Sequence, residues 1–220
     1  MEEKIKTIAD LKAFDILLCY GKDSKKDIIG KKIKKITNSD YVHAAIFIGN
    51  GYIAESLVKE GVTKNKIQVL LSRYDYIVVL RHPDIWSEDK EITLNNFISK
   101  LNNSEYNISK VLKFEKNKMK HEVSTNSKLE AYFDNNYTPQ EIEKEKYFCS
   151  ELVVDCFIKV NFISESATVL YQSDIYSPGD LSKDGTFGLF YGYLLTNQDK
   201  KNLLLEDKFF YKSTFDEIFN

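Results

Sequence analysis

Tyr147-Phe148-Cys149-Ser150-Glu151-Leu152-Val153-Val154 is the stretch on which the reading of this sequence turns. From Cys149 onward, apolar residues stand at Leu152, Val153, Cys156, Phe157 and Val160, a single stripe at helical spacing. Cys149 precedes the first two members of the stripe by three and four residues, so it shares their inward face. It also opens the expected helix, where unpaired backbone N–H groups and the positive end of the dipole favour an anion. A thiol placed there ionises more readily than a free one and is a better nucleophile. The same features suit an inert cysteine that serves as a small buried apolar residue. The segment alone leaves both readings open.

The bulk of the chain bounds the alternatives. Its 220 residues suffice for one sizeable core, or for one core with a large insertion. At 43% hydrophobic, 29% charged and a net charge of −2, the composition is that of an ordinary globular protein and makes no electrostatic case for nucleic acid. No apolar run approaches the ~18 to 20 residues that cross a bilayer, and the start, Met1-Glu2-Glu3-Lys4-Ile5-Lys6, lacks the layout of a signal peptide. Three cysteines with no C-x-x-C argue against a disulfide framework or a structural zinc site, and His43, His82 and His121 are widely separated. The expectation is a reduced, cytoplasmic compartment with no metal and no cofactor, export by an uncleaved route being left open.

Along the chain, Phe14 to Cys19 reads as a buried strand, and the Lys-rich stretch from Gly21 to Asn38 as a short amphipathic helix on Ile28, Ile29, Ile33 and Ile36. Tyr41 to Gly49 alternates as a strand, Gly49-Asn50-Gly51 is a turn signal, and Tyr52 to Ser56 resumes the strand. Ile67 to Leu71 and Tyr76 to Arg81 complete a meander of about five strands. Ser87 to Leu101 is expected to be helical, with Ser87 as its cap and Ile92, Phe97, Ile98 and Leu101 inward. Asn103 to Phe114 suggests a second helix. Glu115 to Lys146, highly charged and poor in branched apolar residues, reads as an insertion within one domain. Ser177-Pro178-Gly179-Asp180-Leu181 is a turn cluster, Phe187 to Leu194 a strand, and Glu206 to Phe219 a last strand or edge segment. Cys19 and Cys156 are expected in the core, His82 and His121 at the surface.

A thiolate nucleophile needs a base within hydrogen-bond reach, and the base needs a third group to hold its ring. His43 and Glu55 lie on two strands joined by a tight turn, and register decides whether they share a face. A two-residue turn at Asn50-Gly51 would pair Ile46 with Glu55 and turn His43 to the other side. A three-residue loop, Gly49-Asn50-Gly51, pairs Ala45 with Glu55 and makes His43 its diagonal neighbour, with Cβ atoms ~7 to 8 Å apart. The catalytic reading therefore requires the odd-length loop, which glycine at either end permits. Taken singly, His43 also fits a half-buried strand histidine, and Glu55 a solvent-facing carboxylate.

Taken together, His43, Glu55 twelve residues later, and the distant Phe148-Cys149-Ser150-Glu151-Leu152-Val153 resemble the circularly permuted papain-fold hydrolases of the NlpC-like superfamily. The likeness is to the YiiX/YebB-like group, relatives of the lecithin:retinol acyltransferase-like proteins. Asp15-Ile16-Leu17-Leu18, Tyr41 to Gly49, Ile53-Ala54-Glu55 with Gly61-Val62, Tyr147 to Val154 and Ser177 to Leu181 carry it. Two positions depart from the group's pattern: Phe14 stands where a glycine usually precedes the Asp of the first strand, and Tyr106-Asn107 where Tyr-Asp is common.

The resemblance implies an α+β, circularly permuted papain-like fold: a central antiparallel sheet packed against the helix that starts at Cys149, in one domain over residues 1–220 with a charged insertion at about 115–146. It implies Cys149 as nucleophile, His43 as general base and Glu55 as the orienting third member, with Tyr41 and Asp15 as substrate-binding or oxyanion residues. Tyr41 equally suits packing. The expected activity is cysteine-dependent amide or ester hydrolysis through an acyl-thioester, on a small peptide, an amino-acid amide or a lipid-like molecule. A lipid-directed acyltransferase or esterase is the alternative within chemistry, and an apolar channel beside Cys149 would favour it. A non-catalytic peptide- or lipid-binding domain on the same fold is the alternative outside it.

Overall fold

In the computed structural model, which describes residues 2–21, 34, 35, 37, 39–84, 86–102, 104–196 and 198–219, strand β1 (Ile16–Tyr20) runs through the middle of a six-stranded sheet. Its neighbours are β2 (Tyr41–Phe47) and β5 (Tyr76–Arg81). Outward from β2 come β3 (Tyr52–Leu57) and β4 (Gly61–Lys66), and β8 (Leu189–Leu195) closes the other edge. Every neighbouring pair in this sheet is antiparallel. The expected amphipathic helix on Ile28, Ile29, Ile33 and Ile36 lies outside the described residues.

Both faces of the sheet are covered, so β1, β2 and β5 read as near-continuous apolar runs. On one face lie α2 (Glu88–Leu101) and α5 (Cys149–Lys159), which bury Leu94, Phe97 and Ile98, and Leu152, Val153, Cys156 and Phe157, against Leu18, Ala44 and Ile46. On the other, α1 (Ile67–Arg73) buries Ile67 and Leu70 against Leu17, Cys19, Ala45 and Phe47. Ser87 caps α2 by accepting from the Lys90 N–H at 3.2 Å. Within α2, Leu94 takes the inward position expected for Ile92, which is 50% exposed.

Three expected elements change identity. Ile67 to Leu71 is helical, because Ile67, Leu70 and Leu71 fall at i, i+3 and i+4 and Val69 faces outward. The strand in that region is instead β4, a polar edge strand whose burial is confined to Gly61 and Val62. Glu206 to Phe219 forms no strand; beyond helix α6 (Pro178–Leu181) and β8 the chain runs through a 3₁₀ helix (Gln198–Glu206) to helix α7 (Phe215–Phe219). After a two-residue strand β6 (Glu105–Tyr106), which pairs in parallel with β7 (Lys146–Tyr147), and the short helix α3 (Ile108–Leu112), Phe114–Phe133 is one 20-residue helix, α4. His121 on α4 is buried with Nδ1 3.1 Å from Gln172 Oε1 and is not the surface residue expected, whereas His82 is half-buried and stacks on Phe162 at 4.4 Å.

Candidate active site

The hairpin joining β2 to β3 sets the position of two side chains. Ile46 pairs with Ala54 and Phe47 with Ile53, the register of a three-residue loop. The loop is Gly49-Asn50-Gly51, closed by the Tyr52 N–H on Gly49 O at 2.9 Å, with φ of 91°, 52° and 75° at its three residues. Three successive left-handed residues suit Gly-Asn-Gly and few other sequences. The odd loop puts His43 and Glu55 on one face, and His43 Nε2 lies 2.8 Å from Glu55 Oε2.

Beyond Ile46 and Ala54 the ladder between β2 and β3 stops, whereas β3 and β4 pair over six positions. The start of α5 fits against this opening. Ser56 Oγ on β3 donates to the Tyr147 carbonyl at 2.9 Å, and the Ala44 N–H on β2 donates to the Cys149 sulfur. The Ser150 N–H, in the first turn of α5, reaches the same sulfur. With Nε2 taken by Glu55, the His43 ring has Nδ1 left for its hydrogen bond with Cys149. His43 and Ala44 from β2 and Ser150 from α5 thus meet around one sulfur.

Their electrostatics follow from that contact. Burial pushes the Cys149 thiol up, but the hydrogen bond and positive charge of His43, with the Ala44 and Ser150 N–H groups, outweigh it and the pKa is lowered. Burial pulls the His43 imidazole down, and its hydrogen bonds to Cys149 and Glu55 more than reverse that, raising it to about 9. Burial pushes Glu55 up, yet His43, Arg73 and Asn65 hold it at about 2. Cys19 and Cys156 provide the contrast. Burial raises both thiols well above the ordinary value, and neighbouring carboxylates add to the effect. Cys149 alone among the three cysteines is shifted toward the thiolate.

Glu55 is held by more than His43. Arg73 Nη2, at the end of α1, lies 2.6 Å and 2.7 Å from its two oxygens, and Asn65 Nδ2 on β4 donates to Oε1 at 3.0 Å. Tyr74 stacks on the His43 ring at 5.9 Å with an interplanar angle of 8°. None of Arg73, Asn65 and Tyr74 was a sequence candidate. Glu55 pairs with Thr63, so Asn65 is its diagonal neighbour, a relation visible once Gly61 to Lys66 is recognised as a strand.

Tyr41 and Asp15 are not at this site. The β1–β2 register shifts between Cys19, paired with His43, and Tyr20, paired with Tyr41, so Val42 is an extra residue. This bulge turns Tyr41 onto the face of Ala44 and Ile46, away from that of Ala45 and Phe47. Its hydroxyl donates to Asp207 at 2.7 Å, a carboxylate that also accepts from Tyr76 and Tyr193. Asp15 precedes the opposite end of β1 and is paired with Arg81 at 2.7 Å and 2.9 Å. Both are packing residues in this structure.

A cleft opens on the other side of Cys149, with Tyr106, Val111, Phe114, Phe148 and Pro178 among the residues around it. Phe114 opens α4 and meets Phe148 edge-on at 6.3 Å, so the helix within the charged region walls the cleft. Lys144, from the end of the same region, is 3.0 Å from Glu151 and 2.6 Å from Asp155, both buried on α5.

No family model matches the chain. It is 27% identical over 192 residues to the probable lipoprotein peptidase YaeF of Escherichia coli (strain K12), a match covering 82% of this chain and 66% of that protein's length. The crystal structure of metalloprotein yiiX from Escherichia coli O157:H7 superposes with a TM-score of 0.45 and 16% identity, over 85% of this chain and 89% of that one. Both relatives are members of the YiiX/YaeF permuted papain-like group. Among the described residues no three His, Cys, Asp or Glu side chains converge to hold a metal ion. Nor is any described helix long and apolar enough to cross a membrane.

Proposed function

We propose that this chain is a cysteine hydrolase in which Cys149 is the nucleophile, His43 the acid–base and Glu55 the group that holds the imidazole. The observation that carries the reading is the two-sided engagement of His43, with Glu55 on Nε2 and the one downward-shifted thiol of the chain as its other partner. With His43 raised and Cys149 lowered, the pair is biased toward imidazolium and thiolate. The thiolate attacks the carbonyl carbon, and the Cys149 backbone N–H at the start of α5 receives the developing oxyanion. Collapse breaks the bond to the leaving group, which takes the His43 proton, and leaves an acyl-thioester on Cys149. A water molecule then gives one proton to His43 and its hydroxyl to the thioester, releasing the acid and restoring the ion pair.

Glu55 does not take the proton in this scheme. Its pKa of about 2 keeps it a carboxylate throughout, so it fixes the ring and stabilises its positive charge. The name of YaeF, a probable peptidase, supports an amide bond in a peptide as the first chemistry to try. The test is turnover of a panel of peptide 4-nitroanilides and 4-nitrophenyl esters by wild type and by Cys149→Ala, with intact-mass detection of an acyl adduct on Cys149. Turnover that survives Cys149→Ala overturns the proposal.

A further inference from the structure

The cleft beside Cys149 has a direction as well as a composition. The leaving group must lie against His43, because that ring supplies its proton. His43 does not line the cleft, whereas Cys149 does, along with its neighbours Phe148 and Ser150. On the hydrolase reading above, the cleft therefore faces the part of the substrate that stays bonded to sulfur in the thioester. Apart from Cys149 itself, none of its described lining residues is ionisable at neutral pH, and Val111, Phe114, Phe148 and Pro178 present carbon. The nearest cation from α3, Lys110, is turned away and bound to Glu151 at 2.7 Å.

We propose that the cleft is the acyl subsite and that it selects substrates whose acyl group is apolar and uncharged. A charged acyl group would lose its hydration there, and the nearby described cations are already engaged, Lys110 by Glu151 and Lys118, 6.0 Å from the Phe114 ring, by Asp180. An apolar one gains the transfer of each buried methylene from water. Either a fatty acyl group or an apolar amino-acid residue offers this chemistry. The bond that forms is carbonyl carbon to Cys149 sulfur and the bond that breaks is carbonyl carbon to the leaving heteroatom, so no further reactant besides water is required.

The experiment measures kcat/KM for 4-nitrophenyl acetate, butanoate and octanoate, and for the 4-nitrophenyl esters of benzyloxycarbonyl-phenylalanine and benzyloxycarbonyl-lysine. Turnover is taken as the part lost in Cys149→Ala. At least a tenfold rise from acetate to octanoate, or from the lysine to the phenylalanine ester, is expected, and whichever series rises more identifies the source of the acyl group. Val111→Lys is expected to lower the octanoate-to-acetate and phenylalanine-to-lysine ratios at least tenfold. Cys149-dependent turnover with flat ratios overturns the subsite and leaves the hydrolase reading standing. No Cys149-dependent turnover of any ester overturns both.

Discussion

His43 and Glu55, twelve residues apart in the chain, stand with Nε2 2.8 Å from Oε2 because the loop between their strands has three residues and not two. A one-residue change in that loop would turn every side chain of β3 to its opposite face. Deleting Asn50 is therefore expected to separate the pair while leaving the Cys149 helix intact. The outcome to look for is a His43 imidazole whose pKa falls from about 9, with far-ultraviolet circular dichroism preserved.

The lowered thiol can be read directly from alkylation. Wild-type Cys149 is expected to react with iodoacetamide well below pH 8, while Cys19 and Cys156, raised by burial, stay unmodified in the folded protein. In His43→Ala the Cys149 profile should move upward. Peptide mass mapping across pH measures both, and identical wild-type and variant profiles would count against a Cys–His pair. Loss of His43 is also expected to lower kcat/KM by ~10²- to 10⁴-fold.

Activity should fall on the alkaline side near pH 9, as His43 loses the proton that the leaving group needs. Glu55→Gln removes one of the two interactions that raise His43 and should shift that limb to lower pH. A pH–kcat/KM profile for the two proteins decides the matter, and an unchanged limb would separate Glu55 from the ring.

The same groups govern stability. Glu55 is depressed from 4.5 to about 2, so its contribution is complete above about 4.5 and is lost as pH falls toward 2. Fully buried, it contributes on the order of 3 kcal/mol across that window. His43, raised from 6.5 to about 9, contributes below 6.5 and loses its contribution as pH rises through 9. Stability from this network should peak between those limits. Arg73→Ala, which leaves the buried Glu55 carboxylate without its bidentate partner, should cost ~3 kcal/mol at neutral pH. Urea unfolding at a series of pH values tests both statements.

Phe14 holds a φ of 76° at the position where the resembled group carries glycine. The left-handed backbone costs a phenylalanine ~1 to 2 kcal/mol. Its ring is buried and meets Phe162 edge-on at 5.1 Å, and truncating a buried phenylalanine costs ~3 to 5 kcal/mol. Packing is the larger effect, so Phe14→Gly is expected to destabilise by ~2 kcal/mol in urea or thermal unfolding despite relaxing the backbone.

Local pattern carried much of this structure. The stripe from Cys149 to Val160, the Ser87 cap and the Gly49-Asn50-Gly51 loop are each set by residues within a few positions of one another. Where local pattern misled, the window was short. Ile67 to Leu71 holds only five residues, too few to separate a two-residue from a three-to-four-residue period, and burial of Ile67 and Leu70 beneath the sheet settled it as helix.

Sequence by itself determined that His43 and Glu55 would be neighbours and that Cys149 would open an amphipathic helix, since both depend on short-range geometry. Tertiary structure alone decided that Arg73 and Asn65 close on Glu55, that a bulge at Val42 sends Tyr41 to Asp207, and that Phe114 walls a cleft at Cys149. Those contacts join residues whose separation along the chain carries no periodic signal. Only the pairing of strands and the seating of helices on the sheet brings them within reach of one another.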